Sequence, residues 1–149
     1  MRDVTDEYKK RMSSDKNGWI FEDGYKTDDH IEEIRVAKWI QETIGGSIVL
    51  LAETDGIYMG KRADYLWNKR LWELKTIRSA KAADSAVRKA LQQIRDKPGG
   101  IILRVENSKD STTRIESVVK ERIRKSGRFS VDVMNIRNWK IEKVVRYEQ

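Results

Sequence analysis

The sequence contains no cysteine, one histidine and one proline in 149 residues. Without cysteine, the chain can form neither a disulfide framework nor a thiolate zinc site. Its single histidine, His30, cannot build a histidine-rich metal site or a pair of catalytic imidazoles. Any bound metal would therefore be held mainly by carboxylates, which are the ligands preferred by Mg²⁺, Mn²⁺ and Ca²⁺.

No apolar run in the sequence is long enough to span a bilayer, and residues 1–10 lack the apolar core of a signal peptide. We therefore expect no signal peptide, no membrane contact and a cytoplasmic site of action, in the producing cell or in a target cell. A chain of this length predicts one hydrophobic core. We divide it into a polar N-terminal arm, residues 1–28, and a single domain, residues 29–149.

Positive charge is concentrated in the middle and at the end of the chain. The net charge is +7, but residues 1–60 carry −5, residues 61–97 carry +7 and residues 98–149 carry +5. Lysine and arginine neutralise phosphates, so this distribution favours nucleic acid as a partner, although a basic solvated surface has the same composition. The candidates for a phosphate track are Arg62, Arg78, Lys81, Arg88 and Lys89.

Apolar periodicity predicts helices and strands that alternate along the chain. The predicted helices are Asp28 or Asp29 to Gly45-Gly46, Ala82–Arg95, and Thr113 to Gly127. The predicted strands are Ser47–Leu51, Ala63–Trp67, Arg70–Ile77, Ile101–Val105, Phe129–Ile136 and Ile141–Tyr147. Strands that are apolar on both faces need helices on both sides. The pattern therefore predicts an α/β or three-layer α+β fold with a central sheet flanked by helices.

Two of these strands meet at Asn68-Lys69, which we interpret as the two-residue loop of a β-hairpin. Asn tolerates the positive φ of such a loop, whereas Lys stands where Gly is usual. In this register Asp64 pairs with Glu73 on the neighbouring strand. Because side chains alternate, Lys75 projects from the same face as Glu73. The other face carries the predicted core residues Tyr65, Trp67, Trp72, Leu74 and Thr76.

The pair Asp64 and Glu73 is the candidate catalytic and metal site. Two carboxylates opposite each other have Cβ atoms about 4.5–5.5 Å apart and repel, and a shared divalent cation turns the repulsion into attraction. Such a cation activates a bound water, while Lys75 stabilises negative charge on a phosphorane. Glu33 borders the apolar stripe of the first helix and is a candidate further ligand. These groups predict hydrolysis of phosphodiester bonds with Mg²⁺, or Mn²⁺, as the cofactor.

Other interpretations of the same residues remain open from spacing alone. A short Glu-x-Lys pattern arises by chance in a charged chain, and inward charges on an edge hairpin also resist aggregation. His30, three residues before Glu33, is a candidate general acid or base, although its position favours a hydrogen-bonded histidine at a helix end.

A wider pattern carries a family resemblance. An acidic helix residue followed by Asp…Glu-x-Lys on adjacent strands, then a helix and a strand, resembles the αβββαβ order of the PD-(D/E)xK nuclease superfamily. The chain is similar to the tRNase domains of contact-dependent growth inhibition toxins and to nuclease domains associated with phage head proteins. The segments that carry this similarity are HIEEIRVAKWI, GGSIVLL, ADYLWNKRLWELK, SAVRKALQQI and PGGIILRV, within Asp28 to Val105.

The resemblance implies a restriction-endonuclease-like core with a mixed central sheet, plus an appended C-terminal helix and strands. It places Asp64, Glu73 and Lys75 on the family's acid, acid and lysine, and Glu33 on its helix acid. Gln93 matches a glutamine on the second helix of such nucleases, or is simply a polar helix residue. A metal-dependent endonuclease of this kind would cleave RNA, and tRNA in particular, in preference to DNA. If the protein is a toxin, it would have a cognate, acidic immunity protein.

Two alternatives follow from the same sequence. The first is a metal-independent, barnase-like ribonuclease in which His30 or Lys75 acts with Glu73 as acid and base. The second is a non-catalytic module that binds nucleic acid or serves phage assembly and keeps the fold.

Overall fold

The computed structural model describes residues 1–10, 18–53, 62–127 and 130–148. Its helices are α1 (Thr5–Lys10), α2 (Ile31–Thr43), α3 (Ala80–Gln93) and α4 (Thr112–Lys125). Its strands are β1 (Arg2–Asp3), β2 (Trp19–Phe21), β3 (Ile48–Leu50), β4 (Tyr65–Trp67), β5 (Arg70–Ile77), β6 (Pro98–Val105), β7 (Val131–Arg137) and β8 (Lys140–Tyr147). The sequence also predicts a turn region from Thr54 to Gly60, which lies outside the described residues.

All the described strands form one mixed sheet in the order β1-β8-β7-β6-β5-β4-β3-β2. Strands β5, β6 and β7 run parallel, as do β2 and β3, and the remaining neighbours are antiparallel. Parallel neighbours need a crossover, and α3 supplies it between β5 and β6, as α4 does between β6 and β7. The carboxyl ends of β5, β6 and β7 therefore lie at one end of the sheet.

Helices cover both faces of the sheet. Helices α3 and α4 pack on one face through residues such as Val87, Leu91 and Ile115, all at most 2% exposed. Helix α2 packs on the other face through Val36 and Ile40. This arrangement confirms the predicted fold class, because both faces of the central strands are buried.

The β4–β5 hairpin has the predicted loop and register. Asn68 and Lys69 adopt φ values of 48° and 69°, as a two-residue turn of this handedness requires. Tyr65 pairs with Trp72, and Trp67 with Arg70. The predicted core face is confirmed for the aromatic residues, which pack beneath α2. It is wrong for Thr76, which is exposed beyond the end of that packing.

Two helices begin at other residues than the sequence predicts, α2 later and α3 earlier. Helix α2 begins at Ile31 because a 3₁₀ turn, Thr27–Asp29, takes up the aspartates expected to cap it. Helix α3 begins at Ala80, where the side chain of Ser79 accepts a hydrogen bond from the amide of Ala82 at 3.1 Å. The capping serine precedes the first apolar residue of the stripe, and the periodicity therefore locates the start too late.

The described part of residues 1–28 packs against the sheet. Strand β1 pairs with β8, strand β2 pairs with β3, and Val4 and Tyr8 are 2% and 3% exposed. The sequence did not indicate these contacts because each short element brings only one or two apolar residues, too few to show a period. The division of the chain into an arm and a domain stays a prediction.

Gly100 lies in β6 where the packing leaves no room for a side chain. A Cβ at Gly100 would lie 2.4 Å from the Trp72 ring and 2.5 Å from the backbone oxygen of Asp132. We expect Gly100→Ala to lower the free energy of unfolding by about 2–3 kcal/mol, because neither a buried indole nor a paired strand can move aside. Chemical denaturation measures this loss; Ser85→Ala, exposed on α3, is the control. An unchanged denaturation midpoint for Gly100→Ala would contradict the packing.

The helices described here are too short or too polar to cross a bilayer, α3 and α4 being the longest at 14 residues each.

Candidate active site

Asp64 and Glu73 meet where β4 begins, and their side chains replace the regular ladder. The backbone amide of Asp64 donates to Oε1 of Glu73 at 2.9 Å, and the amide of Leu74 donates to Oδ2 of Asp64 at 2.8 Å. Both acids are buried, with Asp64 6% and Glu73 1% exposed. Each carboxyl therefore has one oxygen fixed by a backbone amide.

Lys75 completes this arrangement from the same strand. Its ammonium lies 3.2 Å from Oε2 of Glu73, an oxygen that accepts no hydrogen bond from the described residues. The side chain of Lys75 is 19% exposed, so the cation can be reached from solvent. The predicted alternation along β5 brings Glu73 and Lys75 together, as the sequence indicated.

Glu33 reaches the site from the first turn of α2. Its Oε2 accepts a hydrogen bond from the hydroxyl of Tyr25 at 2.9 Å, and its backbone oxygen accepts one from Tyr65 at 2.6 Å. Its carboxyl interacts directly with that of Asp64. Helical phase explains this orientation, because Glu33 borders the apolar stripe whereas Glu32, with a side chain 49% exposed, points away from it.

The carboxyls of Glu33, Asp64 and Glu73 form a row with Asp64 in the middle. Burial, followed by the charge of Asp64, raises the pKa of Glu33 to about 7. Burial, followed by the charge of Glu73, raises the pKa of Asp64 to about 7. Raised carboxyl pKa values are typical of sites that transfer protons or gather negative charge for a cation. Glu33 and Asp64 can therefore hold and release protons near neutral pH.

His30 lies at the open end of this row. Its Nδ1 is 3.3 Å from Oε1 of Glu33, and its Nε2 is 3.6 Å from Oε1 of Glu53, whose side chain is 62% exposed. The His30 side chain is 15% exposed and its ring lies 5.2 Å from that of Tyr25. The imidazole is therefore placed between solvent and the carboxyl row, which is the position of a proton relay as well as of a structural histidine.

The basic residues predicted to bind phosphate occupy different surroundings. Arg62 donates to Oε1 of Glu22 at 2.7 Å and to the backbone oxygen of Ala52 at 3.1 Å, so its contacts join β2 to the chain beyond β3. Four others are exposed beyond β5 or along α3: Arg78, Lys81, Arg88 and Lys89. Their binding of nucleic acid stays a prediction.

Gln93 lies in the last turn of α3. The side chain is half-buried, and its Oε1 accepts no hydrogen bond from the described residues. Its role stays a prediction.

The donor set suits a divalent cation by type. Within the described ranges, no group of three or more histidine and carboxylate side chains comes together in a way that could hold a metal. A magnesium ion in a protein is often bound by only one or two carboxylates and keeps several waters. The carboxyls of Asp64 and Glu73 fit this requirement by number, and Oε2 of Glu73 is buried with no hydrogen bond from the part of the chain that the structure describes.

Sequence analysis missed Tyr25 and Glu53 and assigned Tyr65 to the core. Tyr25 lies in the segment interpreted as an arm, and nothing local to it indicates that its hydroxyl meets a helix. Tyr65 is 1% exposed, as its strand parity predicts, but a buried phenol needs a hydrogen-bond partner. From that rule we could have expected the Tyr65 hydroxyl to find an acceptor, which in the structure is the backbone oxygen of Glu33 in the first turn of α2.

No protein-family model matches the chain, and the search of curated proteins gives no match either. Among solved structures, the chain is similar to one chain of the CdiA-CT/CdiI toxin and immunity complex from Burkholderia pseudomallei. The TM-score is 0.57 at 13% sequence identity, over 87% of this chain and 100% of that chain. At this identity the similarity is one of fold, and it confirms the resemblance to such toxins at that level.

Proposed function

We propose that this chain is the nuclease domain of a contact-dependent growth inhibition toxin, of PD-(D/E)xK type, and that it cleaves phosphodiester bonds within RNA. The observation that carries the proposal is the buried pair Asp64 and Glu73 with the ammonium of Lys75 at 3.2 Å from Glu73. A buried carboxylate pair beside a lysine is costly for stability, so a catalytic use explains it best. The toxin fold of the similar structure supports this carrier over a phage-associated one.

The residues of the row divide the chemistry between them. Asp64 and Glu73 would hold a divalent metal, Mg²⁺ or Mn²⁺, which supplies Lewis acidity and an activated water when bound. The Lys75 ammonium stabilises negative charge that develops on the transferred phosphoryl group. Glu33, whose pKa of about 7 lies near the working pH, accepts a proton from the attacking water. His30 passes that proton from Glu33 to solvent.

A metal-independent ribonuclease is the second candidate, and the contact between His30 and Glu33 at 3.3 Å favours it. Glu33, with a pKa of about 7, can exchange protons near neutral pH, and RNA offers its own 2′-hydroxyl as the nucleophile. In this candidate the substrate is restricted to RNA, because DNA lacks that hydroxyl.

Cleavage assays separate the two candidates. The protein is incubated with total RNA and with supercoiled plasmid, in Mg²⁺ or in EDTA, as wild type and as His30→Gln. The metal-dependent nuclease should lose its activity in EDTA and keep most of it in His30→Gln, since the relay residue is replaceable by solvent. The ribonuclease of the second candidate should be indifferent to EDTA and lose about a hundredfold or more in rate in His30→Gln. No cleavage of either nucleic acid under any condition would refute both.

An immunity protein is the partner that this function requires. The similar structure is a complex of a toxin with its immunity protein, which supports a partner of that kind here. The net charge of +7 favours an acidic one, because opposite charges steer association. The proposed site of action is the cytoplasm of the intoxicated cell, where RNA is found.

A further inference from the structure

A tryptophan occupies a turn position that normally belongs to glycine or asparagine. Asn138 and Trp139 form the two-residue loop between β7 and β8, with φ values of 52° and 58°. A left-handed backbone is disfavoured for a bulky side chain, so Trp139 stands there against the local preference. Non-glycine residues in this region cluster at functional sites, where other contacts hold them.

Three side chains hold Trp139 in place. The indole nitrogen of Trp39 donates to the backbone oxygen of Trp139 at 2.9 Å. The guanidinium carbons of Arg104 and Arg35 lie 4.7 Å and 5.6 Å from the centre of its ring. Two arginine guanidinium groups therefore lie against one indole ring, at cation–π distances. We call Arg35, Arg104 and Trp139 the Arg–Trp cluster.

The Arg–Trp cluster borders a cavity of about 240 Å³, which is lined by Arg104, Glu106, Ser108, Arg137, Asn138 and Trp139. The cavity lies beyond the carboxyl ends of the parallel strands β6 and β7, the place where ligands bind in open α/β sheets. Its position connects to the carboxyl row through α2, because Arg104 and Arg35 both pair with Glu32, the neighbour of Glu33.

The arginines retain capacity for a further ligand. Arg137 is used by the fold, donating to the backbone oxygens of Ser108 and Asp110 at 2.9 and 2.6 Å. Arg35 and Arg104 each contact Glu32 through one terminal nitrogen, Nη1, whereas a guanidinium carries five donors. The remaining donors suit a phosphate, and the indole suits a flat base.

We propose that the Arg–Trp cluster binds one unpaired nucleotide of the strand that is cleaved, with its base against Trp139 and its phosphate on Arg35 and Arg104. This inference rests on the proposed nuclease function and adds that the substrate is single-stranded where it is bound. Because the cavity measures only about 240 Å³, we expect it to take a single unpaired base and not an intact duplex. A purely structural role, fastening the β7–β8 turn to α2, is the competing explanation.

Equilibrium binding separates the two explanations. Fluorescence anisotropy is measured with a short fluorescein-labelled single-stranded RNA and with its duplex, on Asp64→Asn protein so that the probe stays intact. We expect Trp139→Gly to weaken single-strand binding about tenfold and Arg35→Gln to lower the salt dependence by about one counterion. Both variants should still fold. Glycine suits the left-handed turn position of Trp139, and the side chain of Arg35 is 59% exposed.

Lys69→Gly is the matched control. Lys69 holds the equivalent left-handed position in the β4–β5 hairpin, at the opposite end of the sheet, so its replacement relieves the same backbone conformation. It should leave RNA binding unchanged. Thermal melting of all three variants monitors the fold.

The outcomes decide the inference and the proposed function separately. Wild-type protein that cleaves RNA, combined with unchanged single-strand affinity in both Trp139→Gly and Arg35→Gln, keeps the nuclease and overturns the nucleotide pocket. Equal weakening of single-strand and duplex binding overturns the pocket as well. Wild-type protein that neither cleaves nor binds RNA overturns both proposals.

Discussion

Replacing Asp64 by Asn should abolish phosphodiester cleavage and, at the same time, stabilise the metal-free protein at pH 8. The amide keeps the shape of the side chain and can still accept the hydrogen bond from the amide of Leu74, 2.8 Å away in the wild type. It removes the charge in the middle of the row, and with it a metal ligand, for which we expect a loss of about 10²–10³-fold or more in rate.

The stability gain follows from the direction of the pKa shift. The pKa of Asp64 is about 7 in the folded protein against an ordinary value of 3.8, because of burial and then Glu73. Its contribution to stability is fully present below the unfolded pKa and is lost as pH rises through 7. In EDTA, the wild-type melting temperature should fall between pH 5 and pH 8, and that of Asp64→Asn should fall less.

At pH 8 the variant should melt higher by about 2–4 °C, the shift that about 1 kcal/mol gives in a domain of this size. Differential scanning calorimetry at a series of pH values measures it. Asp96→Asn, an exposed carboxyl beyond α3, is the control and should change neither cleavage nor the pH profile. An Asp64→Asn protein that still cleaves RNA would refute the assignment of the site.

Replacing Lys75 by Met should cost both activity and stability. The ammonium is the described cation nearest to Oε2 of Glu73, at 3.2 Å, so its removal leaves a buried carboxylate without compensation. We expect a loss of about 2–3 kcal/mol in the free energy of unfolding, below the full cost of breaking a buried pair because Lys75 is 19% exposed. Cleavage should fall about a hundredfold or more, since charge on the phosphoryl group is no longer stabilised.

A double-mutant cycle isolates the ion pair from general damage. In a Glu73→Gln background, Lys75→Met should cost much less stability, because no buried charge is left to compensate. Lys97→Met, at an exposed lysine before β6, should be neutral. Equal costs of Lys75→Met in the two backgrounds would show that Lys75 and Glu73 do not interact energetically.

The carboxyl pair illustrates how far local patterns carry. Asn68-Lys69 predicted the hairpin loop, and the alternation of apolar and polar residues then predicted the strand register. This register brings Asp64 next to Glu73 and places Lys75 on the same face. Each of these patterns lies within about ten consecutive residues, and a window of that length is enough to show hydrophobic periodicity and turn residues. The position of Glu33 relative to the apolar stripe of α2 predicted that its side chain faces the sheet. That position alone did not decide whether Glu33 is a ligand.

The surroundings of the row required the folded chain. Tyr25 and Trp139 contact α2 from segments with no periodic pattern, and neither contact leaves a local trace in the sequence. Arg62 looked like its basic neighbours, yet in the structure it pairs with Glu22, some forty residues earlier in the chain. Contacts of this kind depend on which distant surfaces meet.

The sequence by itself determined which segments form helices and strands and where the hairpin turns. It also excluded thiolate chemistry and placed Asp64 and Glu73 on one face of the hairpin. Only the tertiary structure decided that Glu33 meets Asp64, whose charge adds to burial in raising the pKa of Glu33, and that Arg104 lies over Trp139. The physical reason is the separation of the interacting residues along the chain. Backbone geometry imposes periodicities that a short stretch of sequence is enough to show. The electrostatic coupling of two side chains depends instead on their distance and burial in space, which no window of the chain contains.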